Sequence, residues 1–325
     1  MASGPLEMIE RAAPEPGPGE IRVQVCVCGV CRTDLHVAEG DLPVVLPNVI
    51  PGHEIVGTVD ALGAGAGRLP IGARVGIAWL RKTCGVCRFC TTGRENLCIQ
   101  PEFTGWSADG GYAEYAVVDE NYAYEIPDAF DDEHAAPLLC AGIIGYRALR
   151  RASVPRGGRL GIYGFGGSAH IACQVAIHEG AEVYVFTRSA RARALAQNLG
   201  ARWAGDGTGQ PPAPLDASIL FAPAGNLVPV ALENLDRGGT LAIAGIHLSS
   251  IPSLDYRRHL FEERRLVSVT ANTRADGLEL LEVAARIPIK VTTTPYALGE
   301  APAALSALKR GEVSGAAVLR VISDG

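Results

Sequence analysis

The spacing of apolar residues divides the chain into two rhythms. After a turn-rich opening, Ala13-Pro-Glu-Pro-Gly-Pro-Gly-Glu20, the stretch Ile21-Arg-Val-Gln-Val-Cys-Val27 alternates apolar with polar, the period-two mark of a half-buried strand. A second strand is predicted near Glu54–Asp60, ending in the glycine-rich turn Gly63-Ala-Gly-Ala-Gly67. Shorter strands come next at Arg74–Ala78 and Tyr112–Val118, so the opening part reads as a mostly β domain, a distorted barrel. From Ala141 the rhythm becomes strand, helix, strand. Strands are predicted at Arg159–Tyr163, Glu182–Phe186, Asp216–Ala222, Thr240–Ala244 and Arg265–Thr270, with helices at Ser168–Glu179 and Ala190–Leu199. That alternation predicts a parallel, doubly wound sheet. Beyond Thr273 a helix (Gly277–Arg286), a strand, a helix (Glu300–Arg310) and a last strand (Ala316–Ile322) form a tail expected to rejoin the first domain.

Length and composition narrow the class. With 325 residues, two domains are the natural expectation, and 48% hydrophobic with 20% charged residues is ordinary globular composition. A net charge of −6 and a pI near 5.7 leave no basic footprint for nucleic acid. The longest apolar run, Ala135–Gly145, falls short of the ~20 residues a membrane span needs. Met-Ala-Ser-Gly-Pro-Leu-Glu is not a secretory signal by composition, so a cytoplasmic enzyme is expected, with no membrane partner. Nine cysteines are an odd number for a disulfide framework, and four crowd between Cys84 and Cys98, which points to metal.

Those four carry the clearest signal. Cys84, Cys87, Cys90 and Cys98 stand at spacings of three, three and eight, which suits a closed tetrahedral zinc site. An iron–sulfur cluster is the rival, but in its bacterial motif the fourth cysteine comes sooner and precedes proline, whereas Ile99 comes next here. A second group spans Cys28 to Glu54 and holds Cys31, Thr33, Asp34, His36, His53 and Glu54. Cys31 and His53 offer two ligands of a catalytic zinc, and Cys140 would complete a Cys₂His set with one open position. Thr33 and His36 could carry a proton away. Gly164-Phe165-Gly166-Gly167-Ser168-Ala169 comes after a predicted strand and opens a helix, the setting of a dinucleotide fingerprint. The next strand ends in Thr187-Arg188 with no carboxylate, which favours the 2′-phosphate of NADP over the ribose diol of NAD.

Cys31-Arg-Thr-Asp-Leu-His36, Gly52-His53-Glu54, the Cys84–Cys98 lobe, Cys140 and Gly164-Phe-Gly-Gly167 together resemble the zinc-dependent alcohol dehydrogenases of the medium-chain dehydrogenase/reductase family. The resemblance covers essentially the whole chain, although Met-Ala-Ser stands where most relatives have much of a first strand. It implies a GroES-like catalytic domain (residues 1–140 and 274–325) interrupted by a Rossmann coenzyme domain (141–273), with the active site between them. It implies a catalytic zinc on Cys31, His53 and Cys140 with Glu54 behind it, and a structural zinc on Cys84, Cys87, Cys90 and Cys98. Asp34 would orient His53, Arg32 would meet the cofactor pyrophosphate, Thr33 and His36 would relay protons, and Trp79 and Leu80 would face substrate. The expected reaction is hydride transfer between an alcohol and an aldehyde or ketone with NADP, or alternatively NAD, in a dimer or tetramer. Two rivals are a zinc-free enone or quinone reductase of the same superfamily and a non-enzymatic zinc module.

Overall fold

The period-two segment at the start of the chain becomes β1 (Glu20–Val30), the spine of the first unit in the computed structural model, which describes residues 6–313 and 315–321. Its alternation is legible only as far as Val27, because Cys28, Gly29 and Val30 are all buried and lose the polar partner positions. A short helix α1 (Arg32–Glu39) comes next, then β2 (Glu54–Leu62), β3 (Arg74–Ile77), β4 (Leu80–Lys82), β5 (Glu102–Phe103), β6 (Tyr115–Asp119), β7 (Ala123–Glu125) and α2 (Asp132–Ala135). β1 pairs antiparallel with β2, with β6 through its first half, and with the last strand of the chain through its second. β2 pairs onward with β3, and β3 with β7. Ile21, Val23, Val25, Ile55, Val75 and Ile77 point into the resulting core.

Two local departures from the sequence pattern lie close to the clustered cysteine and histidine side chains. Helix α1 carries no periodic signal, since it is only eight residues long. It is set by its ends: Asp34 accepts from the Cys31 amide at 2.8 Å in the first turn, and Gly40 closes it at φ 76°. The strand predicted from Tyr112 begins instead at Tyr115. Residues 110–112 are engaged elsewhere, donating from Gly110, Gly111 and Tyr112 to the carbonyls of Ile50, Gly52 and Pro51 at 2.7–3.0 Å.

The second unit comprises Ala141–Thr270 and Arg286–Lys290. It contains α3 (Ala141–Ala152), β8 (Arg159–Tyr163), α4 (Gly167–His178), β9 (Glu182–Phe186), α5 (Ala190–Asn198), β10 (Trp203–Gly205), β11 (Leu215–Leu220), α6 (Leu227–Glu233), β12 (Leu235–Ile243), α7 (Tyr256–His259) and β13 (Arg265–Ser268). All six strands are parallel, in the order β10-β9-β8-β11-β12-β13. The order reverses at β8, so the loop after Tyr163 lies at the switch point where open α/β sheets bind ligands. Helix α3 lies close on α4. A methyl group on Gly145 would stand 2.8 Å from the Ser168 carbonyl.

The chain returns through α8 (Arg274–Arg286), β14 (Thr293–Ala297), α9 (Ala301–Arg310) and β15 (Ala316–Arg320). β14 runs parallel to β15, and β15 antiparallel to β1, from Val27 opposite Arg320 to Val30 opposite Ala317. Helix α8 starts three residues before the predicted Gly277, because Asp276 accepts from the amide and hydroxyl of Thr273 at 2.7 and 2.6 Å. The predicted strand end at Ile322 lies outside the described residues. The chain thus combines a mostly β unit with a doubly wound parallel-sheet unit.

Candidate metal and cofactor sites

Three segments remote in sequence bring their donors together in the first unit. Cys31 caps α1, His53 precedes β2, Glu54 begins β2, and Cys140 ends the unit's first segment; their ligand atoms lie within 4.8 Å of one another. The sulfurs of Cys31 and Cys140 are 3.7 Å apart, and His53 Nε2 is 3.3 Å from Cys140 Sγ. Two sulfurs on one tetrahedral zinc lie about 3.8 Å apart, and a sulfur and a nitrogen about 3.6 Å, so the set fits that ion. The Cys140 thiol hydrogen bond pulls Cys31 well below the usual thiol range and Cys140 well above it, and burial holds the Glu54 carboxyl up. Glu54 fits because its partner in the ladder is glycine: a Cβ on Gly29 would stand 1.8 Å from Glu54 Oε2.

Asp34 organises these donors. Its Oδ1 accepts from His53 Nδ1 at 2.9 Å and from the Gly52 amide at 3.1 Å. Its Oδ2 accepts from the Cys31 amide at 2.8 Å and the Tyr112 hydroxyl at 3.1 Å. With the proton of His53 held on Nδ1, the lone pair of Nε2 faces the sulfurs. Thr33 is buried on α1, its Oγ1 3.8 Å from Cys31 Sγ. His36, one turn on, pairs through Nδ1 with Asp41 at 2.8 Å, and Arg32 is exposed. Trp79 meets the His53 ring edge-on at 4.9 Å and stacks on Phe103 and Trp106; Leu80 is buried in the β core behind it.

The second thiol cluster closes on itself. Cys84, Cys87, Cys90 and Cys98 approach one another at 3.5–4.0 Å, again the edges of a tetrahedron. Backbone N–H groups pull Cys84 down and bring Cys87 down to about 6, the thiolate character a metal ligand needs, while burial pushes Cys98 up to about 11. The lobe is tied to the returning chain: buried Glu95 accepts from the Arg274 amide at 3.0 Å at the start of α8.

In the second unit Gly164 takes φ 85°, and a Cβ there would stand 2.9 Å from the Ala222 amide. Gly166 caps α4; a Cβ on Gly166 would meet nothing within 4 Å and one on Gly167 only Ala141 Cβ at 3.6 Å, so there is room beside the helix start. Thr187 and exposed Arg188 come directly after β9, where Arg193 donates to both their carbonyls at 2.8 and 3.0 Å and fixes the loop.

Residues 17–128 match the alcohol dehydrogenase GroES-like domain. A probable alcohol dehydrogenase of Mycobacterium tuberculosis is 59% identical over 326 residues, covering 99% of this chain and 94% of that protein. The chain belongs to the medium-chain alcohol dehydrogenases. Its fold is accordingly GroES-like plus Rossmann, and its class oxidoreductase. Among solved structures, the cobalt- and zinc-bound thermostable alcohol dehydrogenase of Pyrobaculum aerophilum is 28% identical at TM-score 0.89, covering 98% of each chain. The CAD of Helicobacter pylori complexed with NADP(H) is 27% identical at TM-score 0.85, covering 94% of this chain and 91% of that one. Sequence reading of this dehydrogenase missed Gly29 and Tyr112 and assigned Gly52 no task of its own. Only the Gly-Gly-Tyr run at 110–112 hints at a special approach, and its tyrosine reads equally well as the start of a strand.

Proposed function

We propose that this alcohol dehydrogenase holds two zinc ions and uses NADP(H) to interconvert alcohols with aldehydes or ketones, working mainly toward carbonyl reduction. The carrying observation is the approach of Cys31 Sγ, His53 Nε2 and Cys140 Sγ to tetrahedral-edge distances. Zinc held there, with Glu54 behind it, would supply Lewis acidity at an open fourth position, and the nicotinamide would carry the hydride. Asp34 keeps the His53 proton on Nδ1. Thr33 Oγ1 takes the hydroxyl proton in the oxidative direction, and His36, oriented by Asp41, passes it to solvent. Trp79, backed by Leu80, forms the apolar wall met by substrate. Arg32 and the amides from Gly164 to Ser168, Phe165 included, hold the pyrophosphate, and Thr187 with Arg188 holds the 2′-phosphate.

Cys84, Cys87, Cys90 and Cys98 hold the second zinc, which leaves no open position and is structural. The NADP(H) complex of the Helicobacter relative and the zinc in the Pyrobaculum relative support the cofactor and metal readings. A cytoplasmic dimer or tetramer completes the proposal, and no helix among the described residues is long and apolar enough to cross a membrane. Initial rates with NADPH and NADH over a panel of aldehydes, with zinc counted on the same sample, test it. At least roughly tenfold preference for NADPH and two zincs per chain are expected. Preference for NADH would overturn the cofactor reading, and fewer than two zincs the metal reading.

A further inference from the structure

The donors around Asp34, Gly52 and His53 buried and Cys31 and Tyr112 half-buried, divide into two kinds. Cys31 and His53 supply the proposed metal site, and Gly52 adjoins His53; Tyr112 comes from far along the chain and belongs to no ligand-bearing segment. Its place is nonetheless set on three sides. Residues 110–112 hydrogen-bond to the backbone of Ile50, Gly52 and Pro51, immediately before His53. Its ring presses on Gly52, where a Cβ would stand 2.4 Å from Tyr112 Cδ1, and Gly52 takes φ 98°, which suits only glycine. Its flank packs against both apolar clusters of the first unit, the β core and the cluster under α1 and α9. From there the hydroxyl donates to Asp34 Oδ2 at 3.1 Å, beside the Cys31 amide on the same oxygen.

We propose that Tyr112 is a positioning residue that latches Asp34, joining the Cys31 and His53 segments so that the zinc between them is held longer. The inference rests on the metal reading above. Without the phenol, Asp34 Oδ2 keeps a single donor and the carboxylate can swing about the His53 bond, loosening the ring that it aims. Groups that orient a metal-binding histidine typically change metal affinity about 10–100-fold when removed. Tyr112 acts one step further out, so the low end, about tenfold, is expected.

The test is release of zinc from the purified holoenzyme into excess chromogenic chelator, comparing the unaltered chain with Tyr112→Phe, which retains the ring and its packing. Cys98→Ser identifies the phase that belongs to the four-cysteine lobe. The expected result is two phases in both proteins, with only the phase surviving in Cys98→Ser accelerated about tenfold by Tyr112→Phe. Equal acceleration of both phases would show general loosening and overturn the latch, as would unchanged release. If the unaltered chain holds no zinc outside the four-cysteine lobe, the metal reading itself fails, an outcome separate from the other two.

Discussion

Replacing Asp34 by asparagine keeps the size of the side chain and removes one acceptor oxygen from a group that accepts four hydrogen bonds. The amide must point Nδ2 at one of the two donor pairs. If it faces Cys31 and Tyr112, the phenol can rotate and accept, but the Cys31 amide cannot. If it faces His53 and Gly52, the imidazole can keep a bond only by moving its proton to Nε2, the atom that lies 3.3 Å from Cys140 Sγ. Either way at least one buried donor is left unpaired and one charge-assisted bond is lost. At about 1.5–3 kcal/mol for a bond to a charged group, with about 1–3 kcal/mol for a stranded donor, the cost is about 2.5–6 kcal/mol. That is a large share of the about 5–15 kcal/mol that usually holds a domain folded. Zinc affinity at this site should fall about 10–100-fold, about 1.4–2.7 kcal/mol of that cost. Zinc per chain after dialysis against a weak chelator reads this, with the four-cysteine lobe as internal reference: two should become one. Asp34→Asn that keeps two zincs and an unchanged melting temperature would refute the role given to this carboxylate.

Cys98→Ser should cost one zinc and lower the melting temperature, since Glu95 in the same lobe anchors the start of α8, while the Cys31 site keeps its ion; loss of both ions would contradict separate roles. Thr33→Ala should lower kcat by a factor of about 10²–10⁴ with cofactor binding intact by nicotinamide fluorescence, and a near-normal kcat would remove Thr33 from the proton path. Thr187→Asp should raise KM for NADPH about tenfold or more by repelling the 2′-phosphate, and an unchanged NADPH/NADH ratio would count against the cofactor reading. The buried ring of His170 in α4, whose Nε2 has no hydrogen-bond partner among the described residues, is held by burial below the usual imidazole range. Its folded pKa lies under the unfolded value of about 6.5, so its contribution to stability is complete above that pH and is lost as pH falls toward the folded pKa. Denaturant midpoints measured against pH should therefore drop on the acid side, and His170→Leu should flatten that limb.

The physics of each element decides how far residues alone reveal it. β8 and β9 have the predicted bounds because a strand covered on both faces is a plain apolar run between turn residues. α3 escapes sequence reading because Gly142 and Gly145 weaken the helix signal of a segment whose buried positions otherwise recur at helical spacing; Gly145 serves close approach to α4. At the sites, residue type and spacing are enough to nominate Cys31, His53 and Cys140, because few side chains can ligate zinc. Gly29 and Tyr112 are beyond reach for the opposite reason. Gly29 matters through the side chain opposite it in the ladder, and Tyr112 through a hydroxyl that reaches across from another segment. Beyond the glycine pair before Tyr112, neither relation leaves a trace in local pattern.

Diffraction from crystals of the zinc-loaded enzyme on both sides of the zinc absorption edge tests most directly whether three distant side chains share one ion. Two anomalous peaks are predicted, one enclosed by Cys84, Cys87, Cys90 and Cys98. The other should lie about 2.0–2.3 Å from Cys31 Sγ, His53 Nε2 and Cys140 Sγ, with its fourth position on solvent or substrate. A missing second peak, or one sealed by Glu54 with no place left for an alcohol oxygen, would contradict it.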